Sequence, residues 1–516
     1  MKPFTVALCQ VRASGVEDAE TNLQNMLAAL DRAGETGAQL VALPECSYPA
    51  YYLRDAEPYA RENVRPYEEV CALLGEKARR YGFWLAAGLA VPGDDGWLAN
   101  SGVVFSPDGE VQGRYDKQFL WHFDNVWFKR GRDFPVWDTG FCTFGILICA
   151  DSRQPEIARS LVANGAEVIV DLTAWVSSGR TVGELMTTQC QYLMPVRARE
   201  SAAWVVAADK WGTEDGTIVY AGRSSVIDPE GNMLVCGPPD SDEIVTYEIT
   251  PHGATAVPRR PSLYGTLTQP HSELPIGDLM WEEMVPSAED RRVAVVPGNG
   301  AFDATGVVAR YEALRMQGAN LVVFSGASAP EGWQVDLPEI EAVVRDRGGA
   351  LALGISTDGC APQQSSVLVT PEATIEHVSS HGMGIQTGES LPPVVETPAG
   401  NVALLCGAEG FVPEVGRCLM LQGADILAWT LFEADPMAEQ FARARSDENK
   451  VYTAAAWPDG GVITEPSGAP MVHVPAGTGV AMAAQVNRVV SQWKDRAPGT
   501  NMVRDRMPEL YGPLVR

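Results

Sequence analysis

The sequence predicts an α/β protein made of two large domains that are copies of one plan. The chain has 516 residues, enough for two domains that each bury a full core. Short apolar runs of strand length alternate with stretches of helical periodicity, the pattern of mixed α/β folds. Phrases of the first half also return in order in the second. "GAQLVALPECS" from Gly37 is echoed by "GANLVVFSGAS" from Gly318, and "LICADSRQPEIARSLVANGAEVI" by "LLCGAEGFVPEVGRCLMLQGADIL".

The elements follow in order from the N-terminus. Thr5 to Gln10 reads as a strand and Thr21 to Gly34 as an amphipathic helix. Leu40 to Leu43 is a second strand, so that Glu45 in "LPECSYPAYYL" sits at a strand end before a tyrosine-rich loop. "GFWLAAGLAV" and "SGVVFSPDGEVQGRYDKQFLW" are strands, the latter a hairpin turning at Pro107-Asp108-Gly109 with Lys117 just beyond it. A further strand stops at Cys149, and Ala-Asp-Ser-Arg makes a turn. From about Gln154 a helix places Ile157, Ala158, Leu161 and Val162 at helical spacing until Gly165 stops it.

A thiol in that corner faces the positive end of a helix dipole, which favours the thiolate. A buried structural cysteine is the alternative. On the residues alone, Glu45 and Lys117 are equally compatible with solvated surface charges. What the pattern does establish is a carboxylate, an ammonium and a thiol at or just beyond the ends of three separate strands.

Composition narrows the partners. Lys and Arg number 39 against 66 Asp and Glu, a formal charge of -27 that argues against nucleic acid and anionic membrane surfaces. The ten cysteines form no CxxC pair, the six histidines no HExxH, and no Cys/His spacing suits zinc. "MKPFTVALCQ" leads straight into a strand and no run of eighteen apolar residues occurs, so the expectation is a reduced, soluble, cytoplasmic protein.

The three strand-end motifs, "LVALPEC", "GRYDKQFLW" and "GILICADSRQPE", resemble the Glu, Lys and Cys motifs of the nitrilase (carbon–nitrogen hydrolase) superfamily. The likeness continues through "NGAEVIVDLTAW", "MPVRARES", "GRSSVIDPEGN" and "RRPSLYG", covering roughly residues 1 to 267. The resemblance implies a four-layer α-β-β-α sandwich with no metal and no cofactor. It implies that Glu45 is the general base, that Cys149 is the nucleophile, and that Lys117 with the Ala150 N–H stabilises the oxyanion. Asp124 stands where many members carry an accessory acid; a loop-capping role is the alternative. Arg153 is placed to hold a substrate carboxylate, as in relatives acting on N-carbamoyl amino acids or ω-amides, or else to pair locally with Asp151 or Glu156. His122 would line or support the pocket.

The second half repeats the plan without the chemistry. Its register puts Gly326 opposite Glu45. Pairing Pro155 with Pro413 and Gly165 with Gly423 gives one offset, which sets Gly407 at the nucleophile position and Cys406 one residue early, facing away. Aligning "DGEVQGRYDK" with "EATIEHVSSH" sets His381 at the position of Lys117. The expected division is a catalytic domain over 1–270, a linker over 271–287 and a degenerate domain over 288–516. Two such domains in one chain are expected to form an internal pseudo-dimer, because a duplication supplies both partners of an isologous interface. The expected function is an amidohydrolase acting on a small linear amide or ureido compound and releasing ammonia. A nitrile hydrolase or an acyltransferase would use the same triad, and a scaffold or binding protein is the non-enzymatic alternative.

Overall fold

The computed structural model describes residues 1–179, 181–281, 291–298, 301–329, 333–357 and 362–516. The chain forms two compact units, residues 1–256 with 497–500 and residues 257–496 with 501–516. The far end of the segment 271–287, expected to be a linker, lies outside the described residues.

In the first unit β1 (Phe4–Arg12), β2 (Leu40–Tyr48), β3 (Trp84–Pro92), β4 (Leu98–Phe105) and β5 (Val111–Asp116) run side by side in that order, with β6 (Phe128–Lys129) pairing β4. A second sheet takes β7 (Val136–Asp138), β8 (Thr143–Ile148), β9 (Val168–Leu172) and β10 (Trp204–Ala208) in order. The chain then returns to β1 as a hairpin, β11 (Lys210–Glu214) and β12 (Ile218–Ala221). It finishes the second sheet with β13 (Ser225–Ile227) and β14 (Met233–Cys236), and β15 (Glu243–Ile249) closes antiparallel on β1.

Alternation along the strands decides the layers. Ala7, Cys9 and Val11 of β1 and Val41 and Leu43 of β2 pack with Leu23, Met26 and Leu30 of α1 (Ala19–Glu35) and Val70, Leu74 and Ala78 of α2 (Tyr67–Tyr81). The opposite faces meet the second sheet: a side chain at Gly102 of β4 would strike Leu172 and Ile146. After the one-turn α3 (Asp124–Trp127), α4 (Pro155–Ala163) packs against β8 and α5 (Met194–Ser201) against β10. Each helix has a local cause. In α1 the buried positions 19, 22, 23, 26, 29, 30 and 33 trace one face, and α2 begins after Pro66 and ends at Gly82, whose φ of 71° an L-residue avoids.

The second unit follows the same plan. After α6 (Pro275–Trp281), β16 (Arg291–Val296), β17 (Leu321–Ala329), β18 (Ala350–Thr357), β19 (Gln364–Val369) and β20 (Thr374–Val378) form one sheet. Over its outer face pack Tyr311 and Leu314 of α7 (Ala304–Met316) and Ile340 and Val344 of α8 (Leu337–Arg347). The other sheet runs β21 (Val395–Thr397), β22 (Gly400–Cys406), β23 (Ile426–Thr430), β24 (Tyr452–Trp457), β25 (Gly460–Thr464) and β26 (Pro470–Val474). It is flanked by α9 (Pro413–Leu421) and α10 (Ala438–Asn449), while β27 (Met482–Val486) joins β16. Both units are four-layer sandwiches. The strand registers repeat as well: Phe144 pairs with Val168 as Val402 pairs with Ile426.

Residues 257–270, which the sequence groups with the first half, are held within the second unit. Arg260 donates to Ser380 O at 3.1 Å, and the Tyr264 hydroxyl lies 2.6 Å from His381 Nε2. Among the described residues no helix is long and apolar enough to cross a membrane.

The second unit also carries a buried cation with a pH signature. Burial pulls the Lys494 ammonium down to about 7, although it donates to the carbonyls of Asn449 and Lys450. Between about 7 and the ordinary lysine value the unfolded chain binds the extra proton, so stability should rise as pH rises through that window. Unfolding midpoints should therefore increase toward alkaline pH, and Lys494→Met should flatten the rise. An unchanged slope in the variant would assign the effect to other groups.

Candidate active site

Three strand ends of the first unit converge. At the end of β2 the parallel register with β3 breaks between Leu43 and Tyr48, and Cys46 takes a φ of 39°. The break swings Glu45 inward. It passes so close to β3 that a Cβ on Gly88 would lie 2.1 Å from Pro44 O and 2.7 Å from Glu45 Cα, so only glycine fits there. Lys117 leaves β5 with its N–H donating to Asn100 O at 2.8 Å. Its Nζ donates to Glu45 Oε1 and to Asp124 Oδ2, both at 2.6 Å, and all three side chains are fully buried. Asn100 Nδ2 donates to the same Glu45 oxygen at 2.7 Å, and the Trp121 N–H to Asp124 Oδ2 at 3.0 Å.

Only one oxygen of Glu45 is engaged. Among the described residues Glu45 Oε2, Asn100 Oδ1 and Asp124 Oδ1 are buried without a hydrogen-bond partner. Burial, only partly offset by Lys117, raises the Glu45 carboxyl. Burial alone would lower the Lys117 ammonium, but the Asp124 and Glu45 carboxylates outweigh it and hold the lysine well above its ordinary value.

Cys149 opens a tight 3₁₀ turn over Cys149–Arg153, with a φ of 49°. Its N–H donates to Asp171 Oδ1 at 2.8 Å, and its carbonyl accepts from Ser152 Oγ at 2.7 Å. Asp151 sews this turn to the end of β5: it accepts from the N–H groups of Ile148, Gln118 and Phe119 and from the Tyr115 hydroxyl at 2.8 Å. By sequence alone Asp151 is expected only as a local partner for Arg153. Its part in bringing Lys117 and Cys149 together rests on contacts between distant segments. Burial first, and then the Glu45 charge, outweigh Lys117 and push the thiol well above its ordinary range, against the helix-dipole effect that favours a thiolate in this corner. The sulfur is therefore a thiol at rest and needs a base.

The remaining candidates lie around this centre. Ala150 is buried directly after the nucleophile position. Asp124 is the second carboxylate on Lys117, and it also caps the turn at Trp121. The Arg153 guanidinium stacks 5.1 Å from the Trp121 ring centre and donates to Thr188 Oγ1 at 3.1 Å and Gln189 Oε1 at 2.9 Å. His122 is exposed, its N–H donating to Thr500 Oγ1 at 2.7 Å, rather than lining the centre.

In the second unit the same corner is empty of the triad. Gly407 takes a φ of 56°, and the Cys406 N–H donates to Glu409 Oε2 at 2.8 Å as the Ile148 N–H does to Asp151. Gly407 therefore holds the nucleophile position. The Phe432 ring fills the corner, 2.4 Å from where a Cβ on Gly326 would stand and 3.4 Å from one on Gly407. The counterpart of Lys117 is Ser379, not His381. Ser379 N–H donates to Gln364 O and Gly388 N–H to Ser379 O, matching Lys117 to Asn100 and Gly131 to Lys117. The first hairpin carries a bulge between Val104 and Phe105 and a longer turn, so its numbering runs two residues ahead; sequence alignment cannot see a bulge.

The family model described as Carbon-nitrogen hydrolase matches residues 5–259 and 359–494. The chain is 31% identical over 234 residues to a nitrilase of Pyrococcus abyssi, which covers 45% of this chain and 84% of that protein. It is 27% identical over 257 residues to the omega-amidase NIT2 of Homo sapiens, covering 48% of this chain and 88% of that protein. Among solved structures, the amidase from Nesterenkonia sp. AN1 matches 48% of this chain and 90% of its own, at 26% identity and a TM-score of 0.43.

Proposed function

Because this chain belongs to the carbon–nitrogen hydrolase family, we propose that its first unit hydrolyses a small linear amide or N-carbamoyl compound through a thioester on Cys149. The observation that carries the reading is the half-engaged Glu45, whose Oε1 is locked by Lys117 and Asn100 while Oε2 has no partner. That free, proton-hungry oxygen is what a neutral buried thiol requires.

Glu45 takes the Cys149 proton as the sulfur bonds to the carbonyl carbon. Lys117 and the Ala150 N–H stabilise the developing oxyanion. Glu45 then returns the proton to the nitrogen as the C–N bond breaks and ammonia leaves. A water loses its proton to Glu45 and attacks the thioester, releasing the acid and restoring the thiol. The test is to incubate the Glu45→Gln chain with a short amide and map adducts by mass spectrometry. An acyl group on Cys149 supports the reading, and an acyl group on another cysteine overturns it.

Arg153 sets the expected substrate class. Stacked on Trp121 and held by Thr188 and Gln189, it presents a fixed guanidinium beside the nucleophile turn, suited to a carboxylate remote from the scissile bond. Arg153→Ala should raise KM for a carboxylate-bearing amide by the equivalent of about 1.5–3 kcal/mol while sparing a neutral short amide. Equal losses on both substrates would make Arg153 a structural residue.

A further inference from the structure

A second buried lysine approaches the same Tyr51 ring as the triad's own. Lys210 Nζ is 5.9 Å from the centre of the Tyr51 ring, and Lys117 Nζ is 5.7 Å from it. Lys210 begins the β11–β12 hairpin and is almost wholly buried, as is Glu214, whose Oε2 lies 3.7 Å from Nζ. Neither charge is spent on the other alone. Lys210 Nζ donates to the carbonyl of Cys46 at 2.8 Å, Glu214 Oε1 accepts from the Tyr52 N–H at 2.7 Å, and Oε2 accepts from the Tyr220 hydroxyl at 2.8 Å. The pair thus grips both ends of the segment 46–52. The first of those residues, Cys46, holds the left-handed φ directly after Glu45, where the register of β2 with β3 breaks.

Burying two charges is costly, and an apolar pair of similar size would tie down a loop more cheaply. The chain also contains its own control. In the first unit β10 ends at Ala208 and β13 begins at Ser225, with the hairpin between them. In the second unit β24 ends at Trp457 and β25 begins at Gly460, with the equivalent antiparallel pairing joined by a two-residue turn and no inserted strands between them. The copy that lacks Glu45, Lys117 and Cys149 also lacks the element that grips the segment after Glu45.

We infer that Lys210 and Glu214 are positioning residues for the general base, fixing Glu45 through the backbone of Cys46 and Tyr52. This rests on the reading of Glu45 as the base for Cys149. The test uses the full chain and needs no substrate: the rate at which iodoacetamide, itself a small amide, alkylates Cys149, followed by peptide mapping from neutral to alkaline pH. The double variant Lys210→Met/Glu214→Gln removes both charges together, so no buried charge is stranded.

It should slow alkylation by about ten- to a hundredfold, the range expected when a reactive group is misplaced by about an ångström. It should shift the pH profile in the same direction as Glu45→Gln, and it should add no further loss in a Glu45→Gln background. An unchanged rate in the double variant, with Glu45→Gln slow, overturns the inference. So does an equal loss in the presence and absence of Glu45, since the pair would then act elsewhere. If Glu45→Gln itself alkylates at the normal rate, the reading of Glu45 as base fails and takes this inference with it. Should the double variant not fold, Glu214→Gln alone is measured against the same outcomes.

Discussion

Cys149→Ala should abolish ammonia release, and Glu45→Gln and Lys117→Ala should each reduce turnover by about a thousandfold or more, as coupled nucleophile and base residues do. The three act as one unit here for a physical reason. Lys117 bridges two buried carboxylates at 2.6 Å each, so removing its ammonium leaves Glu45 and Asp124 facing one another without a counter-charge. Removing the Glu45 carboxylate leaves a thiol that burial pushes toward its neutral form, without the base proposed to take its proton. The combined variants should therefore lose little more than Cys149→Ala alone. Cys406→Ala should leave the rate unchanged, because Gly407 and not Cys406 holds the nucleophile position in the second unit. Turnover assays with a short amide check this; substantial activity in Cys149→Ala, or its loss in Cys406→Ala, would reverse the assignment of active and degenerate halves.

Much of this site could be read from the chain because local rules place it. Glu45 and Cys149 each follow an apolar run in a parallel strand, whose end faces the crevice where such folds bind ligands, and Lys117 follows the second strand of a hairpin marked by its Pro-Asp-Gly turn. The offset that set Gly407 opposite Cys149 was equally local, since no insertion separates Pro413 or Gly423 from it. What escaped was non-local. Counting along the hairpin sets His381 opposite Lys117, but the bulge in the first hairpin shifts the count. Burial and the charge of Glu45, more than a hundred positions earlier, are the largest influences raising the Cys149 thiol. Lys210 and Glu214 carry no motif: in sequence they are two charges in a polar stretch, and only pairing with β1 carries them under the Cys46–Tyr52 segment.

The largest effect on stability is expected at Asp151. Its carboxylate, fully buried, accepts from three backbone N–H groups and the Tyr115 hydroxyl. Asp151→Ala would orphan these donors at about 1–3 kcal/mol each before any water enters. The first unit should lose about 3 kcal/mol or more of stability, with Asp151→Asn losing less because one amide oxygen still accepts. Glu409 gives an internal comparison. It takes the same place in the second unit, accepting from His377 at 2.8 Å, from the Cys406 N–H at 2.8 Å and from the Ser380 N–H at 2.7 Å. Glu409→Ala should therefore destabilise its own unit by a similar amount.

The two variants should part company in chemistry. Asp151 joins the residues after Lys117 to the turn of Cys149, so Asp151→Ala should also slow alkylation of Cys149. Glu409 joins Ser380 to a turn headed by glycine, where no reaction depends on the alignment. Urea unfolding of both variants, with Cys149 alkylation measured below the transition, separates the roles. A loss under about 1 kcal/mol for Asp151→Ala, well below the cost of orphaning buried donors, would show that water replaces the carboxylate. The link between Lys117 and Cys149 would then have to be sought in Asp171 and the strands themselves.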